Sequence, residues 1–275
     1  MSIFTNKWFI IGAIAVVIAV AAVLAVTIGK HHENISGEKL NAYRFSKGGG
    51  MSGGYHSEDI VRKDGYALIR IESAEWHNSA PEVKEYKADV KIMDELEGII
   101  RKYNMNFWDG KKFTDIFVCD GESSSYSFVF DDSYVSFSSQ IYPKFYSDKL
   151  SEFKGIIQKY IEKAELLPAL VPTGRTTEDD YNVPEGEMIT YVRKCTSESL
   201  EVKIINKKSE NVEIPIDYKV VNAETGDVLI EKKEDRIYSV YPKSQDEYTI
   251  SLEKGFGAGK YNLIWNDMVI PFELK

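Results

Sequence analysis

Few side chains of this 275-residue chain are spaced in a way that supports catalysis or metal binding. His56 and His77, the histidines outside the N-terminal region, have no second acid–base or metal-ligating residue at a motif spacing. The run from Ser123 to Ser125 lacks the flanking residues that activate a serine nucleophile, and we interpret it as a turn. Acidic pairs in turns do not follow the pattern of a calcium-binding EF-hand loop. The sequence therefore predicts no catalytic residue and no metal site.

Two glycine-rich stretches match phosphate-binding motifs only in part. Gly48, Gly50 and Gly53 fit the G-x-G-x-x-G spacing, but a dinucleotide site needs a helix after the glycines, and here another strand is predicted. In the second stretch Tyr261 follows Lys260, where a phosphate loop has the Ser or Thr that binds magnesium. We therefore predict no bound cofactor.

The aromatic residues suggest a contact surface. The chain has 17 Tyr, 13 Phe and 4 Trp, and most of them are expected in the core. Tyr55, Trp76 and Trp108 instead lie at loop edges, outside the alternating positions of the predicted strands. Aromatic rings at such places can stack on sugars or anchor a protein partner. These three residues are our candidate interface residues.

The charge balance excludes one class of partner. Against 34 Lys and Arg the chain has 43 Asp and Glu, which gives a net charge of -9. Nucleic-acid affinity depends largely on cations that neutralise phosphates, so nucleic acid is not expected as a partner. Cys119 and Cys195 fall in different predicted domains and allow at most one bridge, which is not a disulfide framework.

An uncharged apolar run from Trp8 to Ile28 predicts a transmembrane helix, because 21 helical residues span the hydrocarbon layer of about 30 Å. The alternative is a secretory signal cleaved after Ala21, which would leave an apolar stub at the new N-terminus. Lys7 and Lys30 flank the two ends, so the charge rule for orientation is ambiguous. A short tail before a large body is typical of a signal anchor, and we expect the body on the extracytoplasmic side of the cytoplasmic membrane.

An α+β domain is predicted over 41–167, after a polar juxtamembrane linker over 29–40. Strand patterns alternate on both sides of an Asp64-Gly65 turn, and further strands are predicted at 83–88, 113–119, 126–131 and 134–139. Apolar residues at spacings of three and four predict helices over 89–103 and 146–167. An antiparallel sheet covered by two helices is the architecture that this order indicates.

A Pro-rich and acidic stretch at 168–186 is predicted to be a linker to a second domain over 187–275. Eight short strand patterns follow one another there without a helical period, and two of them are placed at 228–232 and 237–240. Regularly spaced strands with polar turns predict an all-β sandwich.

Two resemblances extend this interpretation. The stretch from Gly259 to Leu263, which follows Leu252, resembles the tyrosine corner of immunoglobulin-like domains and implies that the Tyr261 hydroxyl bonds upstream backbone. The last ninety or so residues thus resemble bacterial immunoglobulin-like modules, which imply spacing or adhesion rather than one activity. The pieces around Trp108 and Tyr142-Pro143 resemble uncharacterised membrane-anchored and lipoprotein sequences of Gram-positive bacteria, and this resemblance assigns no functional residue.

Our leading hypothesis is a membrane-tethered binding or interaction protein of the cell envelope, with an envelope protein or polysaccharide as its partner. It depends on the predicted span and on the lack of a catalytic motif. One alternative is an envelope hydrolase whose carboxylates come from distant parts of the sequence. The other alternative is a sensor or accessory subunit of a membrane complex.

Overall fold

Antiparallel strands make up most of the structure, a computed structural model that describes residues 35–49, 53–76, 80–113, 122–140, 144–173, 175 and 177–275. The predicted span at 8–28, His77 and Cys119 lie outside these residues. In the described ranges no helix is both long enough and apolar enough to cross a membrane.

One sheet of eight strands forms the first unit, in the order β5-β7-β6-β1-β2-β3-β4-β8. All neighbouring strands are antiparallel except β5 and β7, which are parallel. The strands are β1 (Leu40–Gly49), β2 (Gly53–Arg62), β3 (Ala67–Trp76), β4 (Glu82–Ala88), β5 (Lys112–Phe113), β6 (Glu122–Phe130), β7 (Tyr134–Ser139) and β8 (Glu165–Leu166).

Two helices, α1 (Lys91–Lys102) and α2 (Lys144–Ile161), cover one face of this sheet. The predicted period is confirmed in α1, where Ile92, Leu96 and Ile99 are buried. Aromatic rings fill the layer between helix and sheet, and Phe153 of α2 stacks on a ring from β1 at 5.7 Å between centroids. A 3-10 turn, Met105–Trp108, follows α1 and closes one end of the same core.

Two further sheets form the second unit and share one core. The sheet of three strands has the order β13-β10-β9, and the sheet of four has the order β12-β11-β14-β15. The strands are β9 (Met188–Cys195), β10 (Ser199–Asn206), β11 (Val212–Asn222), β12 (Val228–Val240), β13 (Ser244–Ser251), β14 (Gly259–Trp265) and β15 (Met268–Leu274). Tyr261 donates a hydrogen bond to the Gly257 carbonyl at 2.8 Å, which is the bond that the tyrosine-corner pattern predicts.

Several predicted boundaries are wrong. The run from Ser123 to Ser125 lies within β6 and not in a turn, because its backbone pairs with β1 on one side and with β7 on the other. The second helix ends at Ile161, and the following residues pair with β4 as β8. The two strands predicted at 228–232 and 237–240 form the single strand β12, whose charged middle lies at a sheet edge and not in a turn.

The predicted linker at 168–186 has structure of its own. It contains the short helix α3 (Thr177–Tyr181). Ala169 and Val171 donate backbone hydrogen bonds to the carbonyls of Lys275 and Glu273, both at 2.8 Å. These bonds occupy an edge of the four-stranded sheet, so this stretch packs on the second unit over part of its length.

Candidate functional site

The three candidate interface residues lie in different surroundings. Trp76, at the end of β3, is 57% exposed. Tyr55 on β2 is half-buried, and its hydroxyl donates a hydrogen bond to Glu72 at 2.5 Å. Trp108 is only 4% exposed, and its ring packs edge-on against Tyr146 at 4.6 Å. The structure therefore leaves Trp76 accessible to a partner, whereas Trp108 belongs to the core.

The face of the first sheet opposite the helices, which we call the open face, carries mainly small polar and charged side chains. Strand alternation places residues two apart on the same face, and cross-strand partners share a face. Four serines on adjacent strands are paired in register across it, Ser57 with Ser46, Ser46 with Ser125 and Ser125 with Ser138. We call these four residues the serine row.

The serine row is accessible at its two central residues, whereas Ser57 and Ser138 at its ends are half-buried. Ser46 and Ser125 are exposed, and their hydroxyls lie 2.7 Å apart in a hydrogen bond. With neighbouring strands about 4.8 Å apart, the row from Ser57 to Ser138 is about 14 Å long. Each hydroxyl can donate and accept a hydrogen bond, and the short side chains let a ligand approach the backbone. The row offers hydrogen bonding without net charge.

A second row, one step along the strands, alternates in charge. Its members, in order across the sheet, are Glu85, Arg70, Asp59, Arg44, Ser127 and Ser136. Arg44 and Asp59 form an ion pair at 3.2 Å. Because opposite charges lie directly across from each other, this row is close to neutral and stabilises the sheet.

The second unit contacts the β3 and β4 side of the open face through a set of ion pairs that we call the joint. Its members are Lys63, Arg70, Glu72 and Glu85 from the first unit and Lys194 and Glu198 from the second. Glu198 accepts from Lys63 at 2.5 Å and from Arg70 at 2.9 Å. Glu85 accepts from Arg70 at 2.7 Å and from the backbone N–H of Ser197. The joint thus reaches one end of the serine row, because Glu72 lies directly across from Ser57, whereas Ser46 and Ser125 stay exposed.

The charges of the joint perturb nearby groups. Hydrogen bonding to Lys63, with a further contribution from Arg70, lowers the pKa of Glu198 despite partial burial. Burial, and then the hydrogen bond to Glu72, raises the pKa of Tyr55. Burial, assisted by the charge of Glu85, raises the pKa of the free Cys195 thiol to about 12, so this cysteine is a poor nucleophile.

His56 is the described residue closest to a catalytic arrangement. Its Nε2 lies 3.1 Å from a carboxylate oxygen of Glu58, and Glu58 also accepts a bond from Tyr43 at 3.4 Å. Ser73 lies directly across the sheet from His56, but the structure shows no hydrogen bond between the two in the described part of the chain. Among the described residues no group of three His, Cys, Asp or Glu side chains could hold a metal ion.

Sequence comparisons with protein-family models and with curated proteins find no match.

The described residues offer a partner hydrogen bonds from the hydroxyl groups of the serine row. Strand alternation places the exposed Trp76 on the same side of the sheet as this row. The period-two serines of β6 and β7 were the available signal for this surface, because they alternate with buried Phe and Tyr residues. Their pairing with Ser46 and Ser57 depends on strand order, which the sequence does not reveal.

Proposed function

We propose that this chain is a membrane-tethered, extracytoplasmic binding protein of the cell envelope that contacts its partner through the serine row. The observation that carries the proposal is the in-register row of four small hydroxyl side chains on a half-open sheet face. The tether is the predicted helix over 8–28. Hydroxyls of this kind suit a partner rich in hydrogen-bonding groups, such as an envelope polysaccharide or an extended protein segment.

The second unit serves in this proposal as an immunoglobulin-like spacer. Support comes from its two packed sheets with one core and from the Tyr261 hydroxyl bond to upstream backbone. The joint fixes this unit beside the serine row without occupying Ser46 or Ser125, which stay exposed. A partner could therefore reach the row while the spacer holds the first unit in place.

A single charged substitution tests the proposal. Full-length protein in lipid nanodiscs is incubated with envelope fragments of the source organism, and the bound fraction is measured for wild type, Ser46→Glu and Ser209→Glu. Ser209 is exposed in the turn between β10 and β11, so it is a matched control. Ser46→Glu is expected to weaken binding at least about tenfold, because it places an unpaired charge and a longer side chain in the row. Equal binding by all three proteins would contradict the proposal.

An envelope hydrolase is the second candidate, and the contact between His56 and Glu58 favours it. A carboxylate that orients a histidine is a common part of general-base sites. Under this candidate His56→Ala abolishes turnover of envelope polymers by the full-length protein and leaves binding to envelope fragments unchanged. Absence of turnover by the wild type would rule it out.

A further inference from the structure

The chain enters the first unit at the C-terminal half of α1. Ile35, the first described residue, is 5% exposed and belongs to the core. Arg101 of α1 donates a hydrogen bond to the Ile35 carbonyl at 2.7 Å and a second one to the Glu38 carbonyl at 2.5 Å. Glu97, one turn earlier, accepts the backbone N–H of Leu40 at 2.9 Å. The entry point of the chain is therefore fixed to this helix.

Chain length limits how far this end of α1 can lie from the membrane. The predicted span ends at Ile28, so seven Cα-to-Cα steps separate it from Ile35. A fully extended chain covers at most about 3.5 Å per step, or about 25 Å in all. With the predicted span in a bilayer, Ile35 lies within about 25 Å of the end of that span, and Arg101 binds this residue to α1.

Lysines lie against aromatic rings at that end of the first unit, and we call this group of residues, together with the exposed Phe107, the basic–aromatic patch. It consists of Lys102, Tyr103, Phe107, Lys111 and Lys149. The ammonium groups of Lys102 and Lys149 lie 4.6 and 5.1 Å from the centre of the Tyr103 ring. Phe107 in the 3-10 turn is 46% exposed.

Two more contacts connect the patch to its surroundings. Lys149 also approaches the Trp108 ring at 5.9 Å, and Lys111 lies 5.8 Å from the Tyr146 ring, which packs on Trp108. Two acidic residues, Glu152 and Asp109, lie near the patch, and both have partners. Glu152 forms an ion pair with Lys102 at 3.0 Å. The Asp109 carboxylate accepts the backbone N–H of Ser136 at 2.7 Å.

We propose that the basic–aromatic patch rests on an anionic lipid surface, that of the bilayer which carries the predicted span. This inference rests on the proposed membrane tether. Lysines near an anionic bilayer attract it, and exposed aromatic rings insert at the headgroup level. In a chain of net charge -9, three lysines that lie against aromatic rings close in the chain to the exposed Phe107 are the charge complement of such a surface. The patch would give the first unit a second, reversible attachment beside its covalent tether.

Hydrogen exchange in nanodiscs tests the patch. Full-length protein is placed in discs of phosphatidylcholine alone or mixed with phosphatidylglycerol, and amide exchange is compared over 103–112 and over β12 as an internal control. Exchange over 103–112 is expected to be at least about fivefold slower in the anionic discs, since each lysine contributes roughly a fivefold preference for such a surface. Exchange over β12 should be the same in both discs. Equal exchange over 103–112 in both discs overturns the proposal.

Matched variants separate charge from structure. The patch variant Lys102→Gln/Lys111→Gln/Lys149→Gln should lose the protection, and the control Lys232→Gln/Lys233→Gln/Lys243→Gln, in which all three lysines are exposed on the second unit, should keep it. If the patch variant does not fold, salt at about 1 M should remove the protection in the wild type by screening. Protection that persists in the folded patch variant, or in the wild type at high salt, refutes the proposal.

A failure of the tether is distinguishable from a failure of the patch. If the wild type does not integrate into either disc, the proposed membrane tether is wrong. Sedimentation of the same protein with phosphatidylglycerol vesicles then decides on the patch. Salt-sensitive binding that the patch variant loses supports the patch, and no binding by the wild type refutes it.

Discussion

Replacement of Arg70 by Met should destabilise the protein, because it leaves the buried Glu85 carboxylate without its ion-pair partner. Glu85 is 4% exposed at its side chain, and Arg70 supplies its only side-chain ion pair among the described residues. Methionine keeps much of the length and apolar contact of arginine but removes the charge. The Glu85 carboxylate is then left at a buried site with the backbone N–H of Ser197 as its remaining described donor.

The size of the effect follows from burial. Removing one partner of a buried ion pair costs about 3–5 kcal/mol, because it leaves an uncompensated buried charge. Arg70 is 21% exposed, and its other partner Glu198 is 43% exposed, so that second pair contributes little. Because Arg70 is partly solvated and the Ser197 N–H still binds Glu85, the cost lies at or below the lower end of this range, and we expect a loss of about 2–3 kcal/mol. For a body of this size that corresponds to a fall in the melting temperature of about 4–12 °C.

Calorimetry of the detergent-solubilised full-length chain measures this fall. The control is Lys84→Met on β4, whose ion pair with Glu82 is exposed and should contribute at most about 1 kcal/mol. The double variant Arg70→Met/Glu85→Leu should recover most of the loss, since it removes the buried charge together with its partner. A fall for Arg70→Met no larger than that for Lys84→Met, or no recovery in the double variant, would refute the reasoning.

Three further outcomes are expected in the same assay. Tyr261→Phe should cost about 1 kcal/mol, because the buried Tyr261 loses its hydrogen bond to the Gly257 carbonyl. Burial, and then the charge of Glu247, raises the pKa of Glu201. The stabilising contribution of Glu201 is therefore present below its pKa in the unfolded chain and is lost as the pH rises through its pKa in the folded protein. Glu201→Gln should raise the melting temperature at about pH 7 and leave it unchanged at about pH 3. Trp108→Ala should cost about 3–5 kcal/mol as a core truncation, whereas Trp76→Ala should change stability by less than about 0.5 kcal/mol.

Local patterns were sufficient to predict much of the first unit. The period of α1 and the hairpin around Asp64-Gly65 are local, and both are present in the structure. The middle of β12 was missed for a physical reason. The missed residues, 233–236, belong to a run of six charged residues from Glu231 to Arg236 that lacks the apolar alternation of a strand, but an edge strand tolerates them because most of these side chains are exposed.

The candidate site was harder to predict, because it depends on register between strands that are far apart in the sequence. Ser46 and Ser125 are separated by 79 residues, and their hydroxyls are nevertheless in contact. Trp108 shows the opposite difficulty. Its position two residues before Gly110 indicates a loop edge in the sequence, whereas in the structure Phe137 and Tyr146 pack on its ring and bury it.

The edge of β12 and the serine row are two exposed surfaces that differ in whether charged side chains oppose the binding of another chain. This difference supports the proposal that the partner binds at the serine row. In the described part of the chain β12 is an edge strand, and its charged run from Glu231 to Arg236 opposes pairing with another strand, as edge strands of stable proteins commonly do. The serine row has no such protection. Ser46 and Ser125 are exposed, uncharged and too short to block an approach. The exposure of Ser46 and Ser125 beside the joint therefore supports the proposal that the partner binds at the serine row.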